Sequence, residues 1–319
     1  MNTQIGKSVG EAVRLLRKGE LIALPTETVY GLAGNGFVPE VVAKIFVVKN
    51  RPFFDPLILH TSSIDKIYSF VKEIPSPLQK LAEKFMPGAL TLVLPRLSIV
   101  PDLVTNGLDT VAVRIPSHPL AQEVLQKLDF PLAAPSANPF GYISPTTAQH
   151  VYDNLKGKIP YILDGGTCNI GIESTIVGIE NHKVTVFRKG GISLEQIQDV
   201  LKEHVVVRSY SSSNPKAPGM LLQHYAPRKP LKVGNLTELL QHYSTYKVGI
   251  MSFCQKIEKV PEEYQFILSS KADLQEATQR FFSGLRYLDA QNIDIILAEF
   301  LPEKGLGSAI NDRLRRASC

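Results

Sequence analysis

The stretch Ser209-Tyr210-Ser211-Ser212-Ser213-Asn214-Pro215-Lys216-Ala217-Pro218-Gly219 does most to constrain the fold. It is polar, serine-rich and interrupted by prolines, so it buries little apolar surface and reads as a linker. A chain of 319 residues is long for one compact core, which makes two domains the first expectation. The division predicted is a first domain over 1–207, a linker or lid over 208–230, and a second domain over 231–319.

Before the linker, short apolar runs alternate with helical patterns. Strands are predicted at Leu21–Leu24, Leu57–His60, Ala89–Leu94, Val111–Ile115, Pro131–Ala134, Tyr161–Leu163, Thr175–Ile179 and Val184–Phe187. Helical periodicity falls near 8–18, 40–49, 64–71, 77–85, 119–128, 146–155 and 193–203. Several strands lie only a few residues apart, so the first domain is α/β with an extensive mixed sheet. After the linker, strands are predicted at Lys247–Phe253, Gln265–Leu268 and Ile293–Glu299, with helices at 272–290 and 306–317. This predicts a smaller α/β domain of Rossmann-like character.

The composition is that of an ordinary globular protein, 44% hydrophobic and 20% charged. No apolar run approaches the ~20 residues that span a bilayer, and Met1 to Gly10 lack the apolar core of a secretory signal. Cys168, Cys254 and Cys319 are widely spaced and follow no metal-ligand pattern. A reducing, cytoplasmic setting is expected, with no membrane partner. The net charge of +5 is uneven: residues 1–207 carry 20 Lys+Arg against 19 Asp+Glu (+1), and 208–319 carry 15 against 11 (+4). Arg313, Arg315 and Arg316 supply much of that excess and are expected to decorate the solvated end of a last helix.

Several familiar chemistries are missing. There is no G-x-x-x-x-G-K-[ST] phosphate loop, no paired cysteines for zinc and no G-x-S-x-G elbow. Gly305-Leu306-Gly307 has neither the third glycine nor the acidic residue of a dinucleotide fingerprint.

Polar clusters instead gather at strand ends. In Lys49-Asn50-Arg51-Pro52, proline disfavours helix at Arg51. An extended 49–51 would point both cations into one cleft; the alternative is cations placed at a helix C-terminus. Pro25-Thr26-Glu27-Thr28-Val29-Tyr30-Gly31 is either a ligand-binding turn or a threonine-capped turn. His60 ends a strand as a ligand or as a hydrogen-bonded structural group. Arg114 sits in an apolar strand and needs an anion, either a substrate carboxylate or a structural salt bridge. Ala133-Ala134-Pro135-Ser136-Ala137-Asn138 has little side-chain bulk, so a ligand could approach its backbone closely. Asp164-Gly165-Gly166, Gly171-Ile172-Glu173-Ser174-Thr175 and Arg188-Lys189-Gly190-Gly191 complete the set.

Pro25 to Leu32, Lys49 to Pro52, Asp55-Pro56-Leu57, Pro87-Gly88, Arg114-Ile115-Pro116, Ser136-Ala137-Asn138 and Glu173 to Ile176 together resemble the threonylcarbamoyl-AMP synthase family, with its YrdC-like domain. Ala217-Pro218-Gly219-Met220, His224-Tyr225-Ala226-Pro227 and the ending from Gly305 to Arg316 resemble its longer, two-domain members. Many members have glycine where this chain has Asn50, a residue that also tolerates a left-handed backbone. Ala33 likewise stands where glycine is common.

The resemblance implies a YrdC-like twisted mixed-sheet domain followed by a smaller Rossmann-like one. It also implies synthesis of L-threonylcarbamoyl-adenylate from L-threonine, bicarbonate and ATP, for modification of adenosine 37 of tRNA. Lys49, Arg51, Ser136 and Asn138 would be catalytic. Asp55, Thr110, Ser144, Arg188 and Tyr225 would join them around ATP, and Thr28, His60, Arg114, Ala134 and Ser174 would hold threonine. Mg2+ is expected on the phosphates without a protein ligand, and tRNA or the downstream threonylcarbamoyl-transferase complex is a possible partner. The alternative class is a double-stranded RNA or tRNA-binding module, in which a cation-lined surface would take nucleic acid by its phosphates.

Overall fold

The computed structural model describes residues 1–208, 220 and 224–318; the predicted linker 209–219 lies outside them. The chain begins with β1 (Gln4–Gly6), α1 (Val9–Arg17), β2 (Ile22–Leu24), β3 (Gly31–Asn35), α2 (Pro39–Lys49) and β4 (Ile58–His60). Then come α3 (Ile64–Ile67), α4 (Ser76–Phe85), β5 (Leu90–Pro95), α5 (Asp102–Thr105), β6 (Thr110–Arg114), α6 (Pro119–Gln126) and β7 (Leu132–Ala133). Next are α7 (Ala148–Leu155), β8 (Tyr161–Leu163), β9 (Thr175–Glu180), β10 (Lys183–Arg188), α8 (Leu194–Leu201) and β11 (Val206–Val207). Among the described residues these strands form one mixed sheet in the order β1-β8-β2-β3-β7-β4-β6-β5-β9-β10-β11.

Local chemistry sets the helix limits that matter for the site. In α2, Pro39 occupies the first turn, where its missing N–H costs nothing. The apolar face of Val41, Val42, Ile45 and Phe46 is buried against the sheet. Asn50 ends the helix in the left-handed conformation (φ 52°, ψ 43°), so residues 49–51 are not extended. Lys49 remains helical and Arg51 leaves after the turn.

The second unit contains β12 (Leu231–Val233), α9 (Leu236–His242), β13 (Val248–Ser252), β14 (Gln265–Ile267), α10 (Leu274–Ala290), β15 (Ile295–Ala298) and α11 (Leu306–Ala317). Its sheet, ordered β12-β15-β13-β14, is parallel throughout. The prediction omitted β12 and α9, which are short.

Apolar packing joins the two units. Val29, Ile143 and Ile172 share a buried cluster with Phe281, Phe282 and Leu285 of α10 and with Ile310 of α11. Arg286 adds polar bonds across the seam, donating to the Ile143 carbonyl at 2.5 Å and to Asn154 Oδ1 at 2.9 Å. Met220 is buried against Ile58, Ala112, Ile176 and Phe187, a surface of the first sheet.

Candidate active site

Strand ends of the large sheet converge on one cavity. His60 and Arg114 finish the neighbouring parallel strands β4 and β6 and lie in register. Arg188 finishes β10, and Ser174 immediately precedes its antiparallel partner β9. Thr28, Arg51, Ala134, Ser136, Glu173, His224 and Tyr225 complete the polar and close-approach lining, over an apolar floor of Val29, Leu57 and Ile58. Gly190 lets the chain after β10 pass the wall: a Cβ there would lie 2.4 Å from the Glu173 carbonyl oxygen and from the Ser174 carbonyl carbon.

Three cations face this cavity: Arg51, Arg188 and Arg114. Arg51 is buried and pairs with Asp55 at 2.8 Å, while also donating to the carbonyls of Asp55 and Pro56 at 3.2 and 2.9 Å. Burial lowers its pKa, and the charge of Asp55 opposes the shift. Arg188 donates to the Ser174 carbonyl at 3.0 and 2.9 Å and to Ser174 Oγ at 3.1 Å. Burial brings it down to about 10, so the Arg188 guanidinium stays charged at neutral pH.

Lys49 behaves differently. Its Nζ donates to the carbonyls of Ser136 and Asn138, both at 2.5 Å, which pins the small-residue segment to the end of α2. Burial, followed by the charge of Arg51, pushes its pKa well below the ordinary lysine value. The lysine therefore braces the wall from behind, and only Arg51 of the two clamp cations lines the cavity.

On the other side, Arg114 donates to Glu27 Oε1 and to Thr28 Oγ1, both at 2.7 Å. The other oxygen of Glu27 accepts the Ser117 amide at 3.1 Å. The structural salt bridge thus exists, and Arg114 still reaches the cavity. His60 is buried, with Nδ1 3.2 Å from the Ile58 carbonyl. Burial and then Arg114 hold its pKa down to about 3, so its imidazole is neutral.

Family models cover both units. One described as telomere recombination matches residues 14–190. One described as the C-terminal domain of threonylcarbamoyl-AMP synthase matches residues 192–319. The chain belongs to the threonylcarbamoyl-AMP synthase family.

Two relatives of that name align along nearly the whole chain. The one from Pyrococcus abyssi is 41% identical, covering 96% of this chain and 93% of its own length. The one from Bacillus subtilis is 38% identical, covering 97% and 92%. The fold matches that of P. abyssi Sua5 crystallised with L-threonine, with a TM-score of 0.90, 38% identity and coverage of 99% and 97%.

Most residues that the family resemblance nominated come together at this cavity. Thr28, Arg51, His60, Arg114, Ala134, Ser136, Ser174, Arg188 and Tyr225 all line it. Lys49, Asp55, Asn138 and Ser144 stand behind that lining. Asp55 holds Arg51, Asn138 Nδ2 donates to the carbonyls of Pro139 and Tyr142, both at 2.8 Å, and Ser144 Oγ donates to Glu173 Oε1 at 2.5 Å. Thr110 is at the opposite end of β6 from Arg114, about 13 Å along the strand at ~3.3 Å per residue, and is not brought to the lining.

Glu173, His224, Arg313 and Arg316 were missed. The two tail arginines are not solvated: Arg313 is 0% exposed and Arg316 1%. Their guanidiniums lie 5.4 and 4.7 Å from the Tyr225 ring centroid. Only Arg315 of that trio faces solvent. Tyr225 has φ +68°, an unusual backbone for an aromatic residue. Its ring is stacked by His224 at 4.1 Å and Phe282 at 5.6 Å.

Proposed function

We propose that this chain makes L-threonylcarbamoyl-adenylate from L-threonine, bicarbonate and ATP, releasing pyrophosphate, in this cavity. The observation that carries the reading is that one cavity gathers three guanidiniums, Arg51, Arg114 and Arg188, with the hydroxyls of Thr28 and Ser174 and the neutral imidazole of His60. Two buried guanidiniums suit a polyphosphate. A guanidinium beside two hydroxyls and a neutral imidazole suits an amino acid, with Arg114 taking the carboxylate.

The chemistry needs no protein nucleophile. The threonine amine and bicarbonate condense to a carbamate, losing water. A carbamate oxygen then attacks the α-phosphorus of ATP, and the bond to pyrophosphate breaks. Catalysis is therefore positioning plus stabilisation of charge developing on the phosphates. Tyr225 closes over the nucleotide as a lid. Magnesium enters as the counter-ion of ATP, because the nearby carboxylates Asp55 and Glu173 are engaged by Arg51 and Arg313. The adenylate would pass to the machinery that modifies tRNA, in a cytoplasmic setting.

Pyrophosphate release with ATP, bicarbonate and each amino acid in turn tests this reading. Threonine should support turnover far above the other amino acids. Arg51→Ala should reduce threonine-dependent release by about a hundredfold or more, as loss of transition-state charge stabilisation does, and Lys49→Ala should reduce it by releasing the Ser136–Asn138 wall that its ammonium braces. Near-parental turnover in both variants would sink the assignment. Circular dichroism separates lost chemistry from lost fold.

A further inference from the structure

We infer that Arg313, on the last helix of the small sheet, is a positioning residue for the nucleotide: it neutralises Glu173, so that a carboxylate can stand in the wall of a phosphate-binding cavity. The inference rests on the ATP reading above and goes beyond it, because it gives the second unit a task in the first unit's chemistry.

The geometry is closed on every side of Glu173. One carboxylate oxygen accepts Ser144 Oγ at 2.5 Å; the other accepts Nε and Nη2 of Arg313 at 3.2 and 3.1 Å. Ser174, its immediate neighbour, is held by Arg188, a cation of the cavity. Arg313 in turn donates through Nη1 to the carbonyls of Lys189 at 2.5 Å and Ala309 at 3.3 Å, with Asp312 also at 3.3 Å. Every nitrogen of that guanidinium is thus committed to holding the wall. Burial alone would raise the carboxyl pKa; Arg313 and then Arg188 outweigh it and keep Glu173 ionised.

An ionised carboxylate lining a phosphate site repels the ligand unless a cation cancels it. Arg188 cannot both cancel Glu173 and serve the phosphates at full strength. Arg313 supplies the missing charge from outside the lining and leaves Arg188 to the ligand. Its guanidinium also stands over the Tyr225 ring, so one side chain sets both the charge of the wall and the position of the lid.

The test uses the full-length protein and separate KM values for ATP and threonine. Arg313→Met should raise the ATP KM by about tenfold, as stranding one partner of a buried charge pair does, while the threonine KM stays within about twofold. Adding Glu173→Gln removes the stranded charge and should return the ATP KM to within about threefold of the parent. A purely structural pair would move both KM values together. Should Arg313→Met fold poorly, Arg313→Lys decides: the cation remains, so the ATP KM should stay within about threefold even as the thermal midpoint falls with the lost fork. The inference is overturned by equal rises in both KM values or by an unchanged ATP KM in Arg313→Met. Failure of Glu173→Gln to relieve the defect, or a tenfold ATP defect in a folded Arg313→Lys protein, overturns it equally. A parent that releases no pyrophosphate with threonine sinks the functional reading and this inference with it. A parent that does, beside any of the contrary variant results, sinks the inference alone.

Discussion

The carboxyl ends of the two sheets make an instructive contrast. In the large sheet they carry His60, Arg114 and Arg188 into an open cavity. In the small parallel sheet, where fold analogy alone would look for a ligand, the polar groups satisfy one another. Ser252 Oγ donates to the Gln255 carbonyl at 2.6 Å, the Phe253 amide donates to Glu299 at 2.7 Å, and Ser269 Oγ donates to Glu276 at 2.5 Å. Strand direction marks a place where a site can be; hydrogen-bond groups left facing a cavity mark where one is. The small-sheet unit reaches the cavity through its helices, with Phe282 of α10 against Tyr225 and Arg313 of α11 against Glu173.

That contrast can be broken by substitution. Arg188→Ala, in the large-sheet cavity, should lower kcat/KM for ATP by about a hundredfold or more, as read by pyrophosphate release. A loss below tenfold would mean that Arg51 suffices alone.

The next effect is on stability and depends on pH. Burial and then Arg114 hold the pKa of His60 down to about 3, and burial and then Arg286 hold that of His150, at the seam, down to about 4. Both lie below the ordinary histidine value of about 6.5, so the unfolded chain takes up protons first as the pH falls. The stability they confer is complete above about pH 6.5 and is lost as the pH drops toward their folded values. Urea midpoints should fall by an amount equivalent to about 1.4 kcal/mol per pH unit for each histidine between pH 6 and 4.5. His150→Asn should flatten that slope without altering the threonine KM; His60→Asn should flatten it and raise the threonine KM.

Smaller still, Ser252→Ala in the closed small-sheet end should cost about 1 kcal/mol of stability with unchanged kinetics. An altered KM would reveal chemistry at that end. Least of all, Arg315→Ala should shift stability by less than about 0.5 kcal/mol. Measured beside Arg313→Met, it separates burial from mere position on a basic helix.

Much of this molecule was legible because apolar runs and polar strand ends are local signals. The strands carrying His60, Arg114 and Arg188 and the clusters around Thr28, Ser136 and Ser174 could be read directly. β3 could not: the glycine-rich stretch Gly31 to Asn35 falls outside every predicted strand, yet it is a strand held antiparallel to β2 and β7. Glycine is required there because a Cβ at Gly34 would lie 2.6 Å from Leu21 and 2.7 Å from Val41, and close approach leaves no mark in periodicity. The separate duties of Lys49 and Arg51 were hidden for a related reason, since only the left-handed turn at Asn50 sends them to different faces. Arg313 and Arg316 read as surface charge because their partners, Glu173 and Tyr225, are distant in sequence.

The Glu173–Arg313 pair also has a consequence for how the protein is made. Its members are 140 residues apart, and at typical synthesis rates of ~5–20 residues per second the glutamate leaves the ribosome on the order of ten seconds before its partner. Through that interval a nascent first sheet could be folded while its wall still repels phosphate. If Arg313 plays the part inferred above, an unfinished chain would bind ATP about tenfold more weakly until translation has delivered α11.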